Sequence, residues 1–307
     1  MRVDSVKKTV GSFNYEFIRG VSAQSAGVAE LEECIETMHH IKDGDFDSWI
    51  REWVSTLCEK DGSNGLIAPR ELYPDNAVWA AELMERRRQE YARYSPVFWR
   101  PAQDVVGLHA RFLARQISAD TNIALRTEHG FIICQRRAAE GFVDDFAVEH
   151  PETWADHGAA LLLTVASHLS ATGQVRAIRV VSAHADQPKV SMLRSLSLHL
   201  AEQWWVRELH PGTDQATALH RVQGPGFEGI FGPAPPVYDP GGPVLLADRV
   251  DEDAEVAVVE REAAARGAVL AIVPATPGTA RAGELRRQGW SVASDWYLGW
   301  PIAATGG

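Results

Sequence analysis

The chain has 307 residues and a mass of 33.7 kDa; 45% apolar and 23% charged residues supply a packed core for about two domains and exclude wholesale disorder. Thirty Lys and Arg against 41 Asp and Glu leave a formal charge of −11, which disfavours nucleic acid as a partner. Cys34, Cys58 and Cys134 are odd in number and far apart, so neither a disulfide framework nor a Cys-x-x-Cys metal knuckle is expected. The start of the chain has no apolar leader and no stretch approaches 18 apolar residues. A soluble, cytoplasmic protein without a membrane partner is expected.

Residues 1–95 read as a helical region. Leu31, Cys34, Ile35 and Met38 form an amphipathic stripe, and Ser48 caps a helix carrying Trp49, Ile50, Trp53, Val54 and Leu57. A third helix is expected over 77–93. From about residue 100 the texture changes to strands at 122–127 and 130–135, joined as a hairpin, and at 142–148. A helix follows at 158–169, closed by Gly173, then a continuous apolar strand at 178–182 of the kind buried on both faces. Another helix is expected over about 189–202, running into Trp204-Trp205-Val206.

The last third repeats this order in part. Strands are expected at 243–247, 269–273 and 294–298, with helices at 254–266 and 280–288 between them. The Gly- and Pro-rich stretch 224–242 separates the halves, with a short strand near 227–231.

Chemistry concentrates where the 142–148 strand runs through Ala155-Asp156-His157-Gly158-Ala159-Ala160 into a helix. Gly158 and Ala160 leave main-chain N–H groups approachable at a positive helix end, a place for an anion. This segment resembles the pyrophosphate loop of the GNAT superfamily of acyl-CoA-dependent N-acyltransferases, Arg/Gln-x-x-Gly-x-Gly/Ala. The Gly158-x-Ala160 half matches; Ala155 stands where the family has Arg or Gln.

The resemblance implies an α+β protein in three parts. An N-terminal helical region (1–95) precedes a GNAT-like mixed sheet with flanking helices (96–210) and a second, smaller, degenerate GNAT-like half (211–307). It also implies a sheet whose fourth and fifth strands part, with acetyl-CoA or another acyl-CoA as co-substrate and no metal. Val148, His157, Gly158, Ala159, Ala160 and Asp186 would hold that co-substrate.

Acyl transfer needs a base for the attacking amine. Strand alternation places Asp144 with Phe142, Phe146 and Val148, and Asp145 on the other face with Val143, Ala147 and Glu149. Phe146 and Val148 mark the buried face, which leaves Asp145 and Glu149 as candidate bases. The family's acid, a Tyr on the next helix, has no counterpart among residues 189–198, so Tyr297 is the substitute candidate.

The expected function is acyl transfer to an amine of a small molecule, with a homodimer as a further expectation. A degenerate binding or regulatory protein is one alternative, and transfer from another donor such as aminoacyl-tRNA is another. The eleven histidines make no His-Glu-x-x-His or spaced metal set; His157 and His184, at the edge of the inferred cleft, are candidate proton shuttles. Residues 29–33 and 41–53 resemble the N-terminal helical segment of certain bacterial α/β-hydrolases, whose catalytic half has no counterpart here. Trp49 and Trp53 share a helix face; they cap the cleft, meet a dimer partner or fill the core of their own helical hairpin.

Overall fold

The structure, a computed structural model, describes residues 67–172, 174–210 and 216–299. The helices expected at 31–38 and 48–57, with Trp49 and Trp53, lie outside the described residues. The first half runs β1 (Arg70–Glu71), α1 (Ala77–Tyr91), α2 (Val105–Ile117), β2 (Asn122–Arg126), β3 (Gly130–Arg137) and β4 (Glu140–Val148). It continues with α3 (His157–Thr172), β5 (Ala177–Ala183), α4 (Gln187–Ser195) and β6 (His199–Glu208). The second half is β7 (His220–Gly224), β8 (Phe227–Gly232), β9 (Val244–Val250), α5 (Val256–Ala265), β10 (Leu270–Ala275), α6 (Ala280–Arg287) and β11 (Ser291–Gly299).

Strands β1 and β7 are additional to the expected elements, and two helices differ from expectation. Helix α2 was not anticipated; it buries Val105, His109 and Leu113 at four-residue intervals, and the polar His109 interrupts the apolar stripe. Helix α4 ends at Ser195 instead of reaching 202. Ser197 sits in the left-handed region (φ 63°), and the N–H of Leu198 turns back to Leu193 O at 3.0 Å. That reversal satisfies the last carbonyls and sends the chain into β6 five residues earlier than expected.

All eleven strands join one sheet in the order β1-β2-β3-β4-β5-β11-β6-β10-β9-β8-β7. Exchanging β2 with β7, β3 with β8, β4 with β9, β5 with β10 and β6 with β11 leaves the ten-strand order from β2 to β7 unchanged when read backwards. The fold is therefore a tandem with pseudo-twofold symmetry at the β6–β11 seam. The last strand of each half is lodged beside the other half: β11 lies between β5 and β6, and β6 between β11 and β10, all antiparallel.

Helices α3 and α4 cover one face of the first half, over a core including Phe146, Leu162 and Tyr297. On that same face α5 and α6 cover the second half, over Trp205, Leu245 and Val273. The opposite face carries α1 and α2 on Phe131, Ile133 and Ala147, and a cluster around Trp204 and Trp296 at the sheet centre. Among the described residues no helix is long and apolar enough to cross a membrane.

Candidate functional site

Strands β4 and β5 are parallel neighbours only from Glu140↔Ala177 to Val143↔Val180. Beyond that point β4 continues to Val148 and β5 to Ala183 without pairing, so the expected parting of these strands is present. Strands β9 and β10 repeat it, pairing from Val244↔Leu270 to Leu246↔Ile272 only.

The first gap is filled by side chains. Lys189 of α4 is 3% exposed, and its Nζ donates to Val181 O (2.9 Å) and Phe146 O (3.4 Å), one carbonyl from each parted strand. The ammonium stands 5.0 Å from the Phe146 ring and 5.1 Å from the Trp154 ring. Burial pulls its pKa down to about 8, against the opposing charges of Asp186 and Asp144. At the mouth of the same gap, Asp186 caps α4 through the Lys189 N–H and accepts from Tyr91 Oη (2.6 Å) and Arg87 Nη2 (2.7 Å) of α1. Burial and the Asp186 charge push the Tyr91 phenol well above its ordinary range.

The Gly158 corner is closed as well. A Cβ on Gly158 would lie 2.6 Å from Trp154 Cε3, and the Trp154 indole is 1% exposed. Glycine is needed there for the indole to approach the helix. Asp156 accepts from the His157 N–H (2.5 Å) and puts a carboxylate where an anion would need positive potential. Side chains thus occupy both places where the resemblance puts the acyl-CoA. Val148, Gly158 and Ala159 are core residues, His157 stacks its ring edge-on against His129 at 4.8 Å, and Asp186 is spent on α1. Ala160 is a half-buried helix residue, its N–H bonded to Asp156 O.

Replacing Lys189 by Met keeps most of the volume and strands two buried carbonyls. Lys189→Met should cost about 1–3 kcal/mol, read as a lowered urea midpoint. An unchanged midpoint would mean that the ammonium is not bridging the gap.

The carboxylate assignments also change. Ile132 faces Phe146 but Cys134 faces Val143, so Asp144 and Asp145 together oppose Ile133 in a β-bulge. Strict alternation breaks at these two residues, and both carboxylates fall on the α1/α2 side instead of on opposite faces. Asp145 is 6% exposed and engaged: its Oδ1 lies 2.9 Å from His109 Nε2, while Arg88 Nη2 lies 3.0 Å from His109 Nδ1. A guanidinium only donates, so Nδ1 accepts and the Nε2–H donates to Asp145. Burial and the Arg88 charge hold His109 below its usual range, in keeping with a neutral ring. Asp145 is thus an anchor between strand and helices, not a base.

Glu149 accepts from His129 Nδ1 at 2.9 Å, which keeps its pKa below the usual carboxylate range and leaves it a poor base at neutral pH. Tyr297 is fully buried on the α3/α4 face, across the sheet from Asp144 and Asp145, so it has no access to an acceptor beside them. His184 is held by Asp295 (Nδ1 to Oδ2, 2.9 Å), which Gln203 Nε2 also bonds at 3.0 Å. Among the described residues no group of three or more His, Cys, Asp and Glu side chains is placed for a metal.

The bulge delivers a residue the alternation argument passed over. Asp144 is half-buried and makes no hydrogen bond or ion pair among the described residues. Burial first, then the adjacent Asp145 charge, push its pKa up to about 6, against Lys189, Arg137 and Arg88. It lines a cavity of about 80 Å³ over the centre of the sheet. Val181, Trp204, Ile272 and Trp296 form the floor, from β5, β6, β10 and β11. Phe98, Trp99 and Tyr238 form the roof, on two connectors that bond each other through Ala102 N–H and Val237 O (3.1 Å). Trp204 and Trp296 stack with centroids 4.9 Å apart.

No family model matches the chain. Among curated proteins, the hydrolase acrC of Aspergillus aculeatus is 34% identical over 50 residues, 16% of this chain, and the chain spans only 12% of that protein's length. Among solved structures, a putative acetyltransferase from Thermoplasma acidophilum matches at 10% identity and TM-score 0.49, covering 76% of this chain and 98% of that one. A tandem GNAT protein from the clavulanic acid biosynthesis pathway matches at 10% identity and TM-score 0.40, over 78% and 99%. The PaiA N-acetyltransferase from Thermoplasma acidophilum, solved in complex with coenzyme A, matches at 13% identity and TM-score 0.35, over 43% and 89%. These solved neighbours are named as acetyltransferases, some of them as GNAT proteins. At these identities they name a fold and transfer no chemistry; what the site does follows from the residues of this chain.

Proposed function

We propose that the protein binds a small cationic molecule in the aromatic cavity, with Asp144 as its counter-charge. The observation that carries this reading is a half-buried carboxylate with no hydrogen bond or ion pair among the described residues, set against aromatic faces. Such a group costs stability where it stands and recovers it when a cation arrives. A concave, largely apolar site with one charged group is the usual form of a small-molecule pocket. Aromatic rings attract a cation through their negative faces, which adds to the carboxylate's pull.

Acyl transfer to an amine held in the cavity is the second reading, favoured by the parting of β4 and β5 beyond Val143. It requires an acyl donor, and the Lys189 and Asp186 contacts occupy the gap where the resemblance places one. Calorimetric titration separates the two. Small organic cations should release heat with the full chain, whereas acetyl-CoA at millimolar concentration should give none. Heat with acetyl-CoA, followed by appearance of free thiol when an amine is added, would establish acyl transfer and overturn the binding-only reading.

A further inference from the structure

We infer that the ligand of the Asp144 cavity is a tertiary or quaternary ammonium, in preference to a primary amine. The inference rests on the cation-binding reading above. A primary ammonium brings three N–H donors that must each find an acceptor once water is excluded. Among the described residues, the only charged group lining the cavity is Asp144, and most of the remaining wall is aromatic or aliphatic. The polar groups of the wall are largely committed elsewhere. The Trp99 indole N–H donates to Ala293 O (3.1 Å), the Trp204 indole N–H to Glu202 Oε1 (2.8 Å), and the Ser294 hydroxyl to Ser182 O (3.2 Å). The Tyr238 phenol lies beside Arg88, whose guanidinium stands 5.4 Å over its ring.

Replacing N–H by N–CH₃ removes donors that have nowhere to go and spreads the positive charge over methyl groups that fit against rings. The stacked Trp204–Trp296 pair, with Phe98, Trp99 and Tyr238, supplies those rings. Trp296 also lines the cavity, and it is 3% exposed. The carboxylate sees Asp145 on its own strand, and Lys189 from α4, Arg88 from α1 and Arg137 from β3, so three cations already offset the two carboxylates before a ligand enters. Selectivity therefore comes from shape and donor count more than from raw field.

Titration calorimetry on the full chain at pH 7.5 with ethanolamine, N,N-dimethylethanolamine, choline and the neutral isostere 3,3-dimethylbutan-1-ol tests this. Affinity should rise about ten-fold or more from ethanolamine to choline, and the isostere should fall about ten-fold below choline. In Asp144→Asn, with folding checked by its thermal transition, choline and the isostere should become alike. Ethanolamine binding as tightly as choline would overturn the preference and leave the cation reading standing. An isostere equal to choline in the unaltered protein, or no binding by any of the four at millimolar concentration, would overturn both.

Discussion

Asp144→Asn should raise the thermal stability of the protein at neutral pH while removing its response to cations. The carboxyl titrates near 6 in the folded chain against 3.8 ordinarily, so the unfolded chain gives up this proton first. Below about pH 4 the group is protonated in both states and costs nothing. As pH rises toward 6 the folded state falls behind, and above that the whole penalty applies. A gap of about 2 pH units corresponds to about 3 kcal/mol, an upper figure for a half-buried group. Asparagine carries no charge to desolvate, so the variant should melt several degrees higher at pH 7.5. At pH 4 the two proteins should melt alike. Calorimetric scans at both values decide it: a gain of the same size at pH 4, or none at pH 7.5, would mean that the Asp144 charge is not under strain. A carboxylate kept at such a cost, when an amide would fit, is what a binding site for cations requires.

How far the sequence foretold this site depends on what kind of signal each part leaves. β5 was legible because every one of its residues is buried, giving an unbroken apolar run. The β2–β3 hairpin and the α3, α5 and α6 helices were legible from local pattern for the same kind of reason. The tandem order was visible as two Trp-bearing strands closing two similar series, at Trp204 and Trp296. Which strand pairs with which was not, because the pairing of β11 with β5 is set by the sheet and not by any residue near either strand. The carboxylate that lines the cavity stands one residue from the one that alternation singled out. A single bulge opposite Ile133 turned Asp144 toward the cavity, and period-two reasoning has no means of seeing an inserted residue.

The Gly158-x-Ala160 signal was genuine as a statement about space: the room made by glycine is taken by Trp154. Lys189 read as an ordinary first-turn residue of a helix, and only the parted strands reveal its carbonyl partners. The cavity draws on residues from 98 to 296, so no window of sequence contains it.

Ending the chain after Trp290 should unfold both halves, although residues 67–210 would remain intact in sequence. β11 bonds β5 from Ser294↔Ala183 to Gly299↔Ile178 and bonds β6 along its other edge. Its loss leaves β5 with one open edge and detaches β6 from the first half, since β6 would then pair only with β10. The core suffers on both faces, because Tyr297 is buried against α3 and α4 and Trp296 against Trp204. Burial of such side chains is worth about 2–3 kcal/mol each, and Trp296, Tyr297 and Leu298 together approach the whole stability of a typical domain. The truncated chain should therefore show no cooperative thermal transition and should be digested by protease across 67–210 as readily as across 216–290. A synthetic 291–299 strand added in trans should restore the transition. Were the first half an independent unit, the truncated protein would instead melt cooperatively and leave a resistant fragment ending near residue 210, and the seam between β6 and β11 would be a contact rather than the join on which both halves depend.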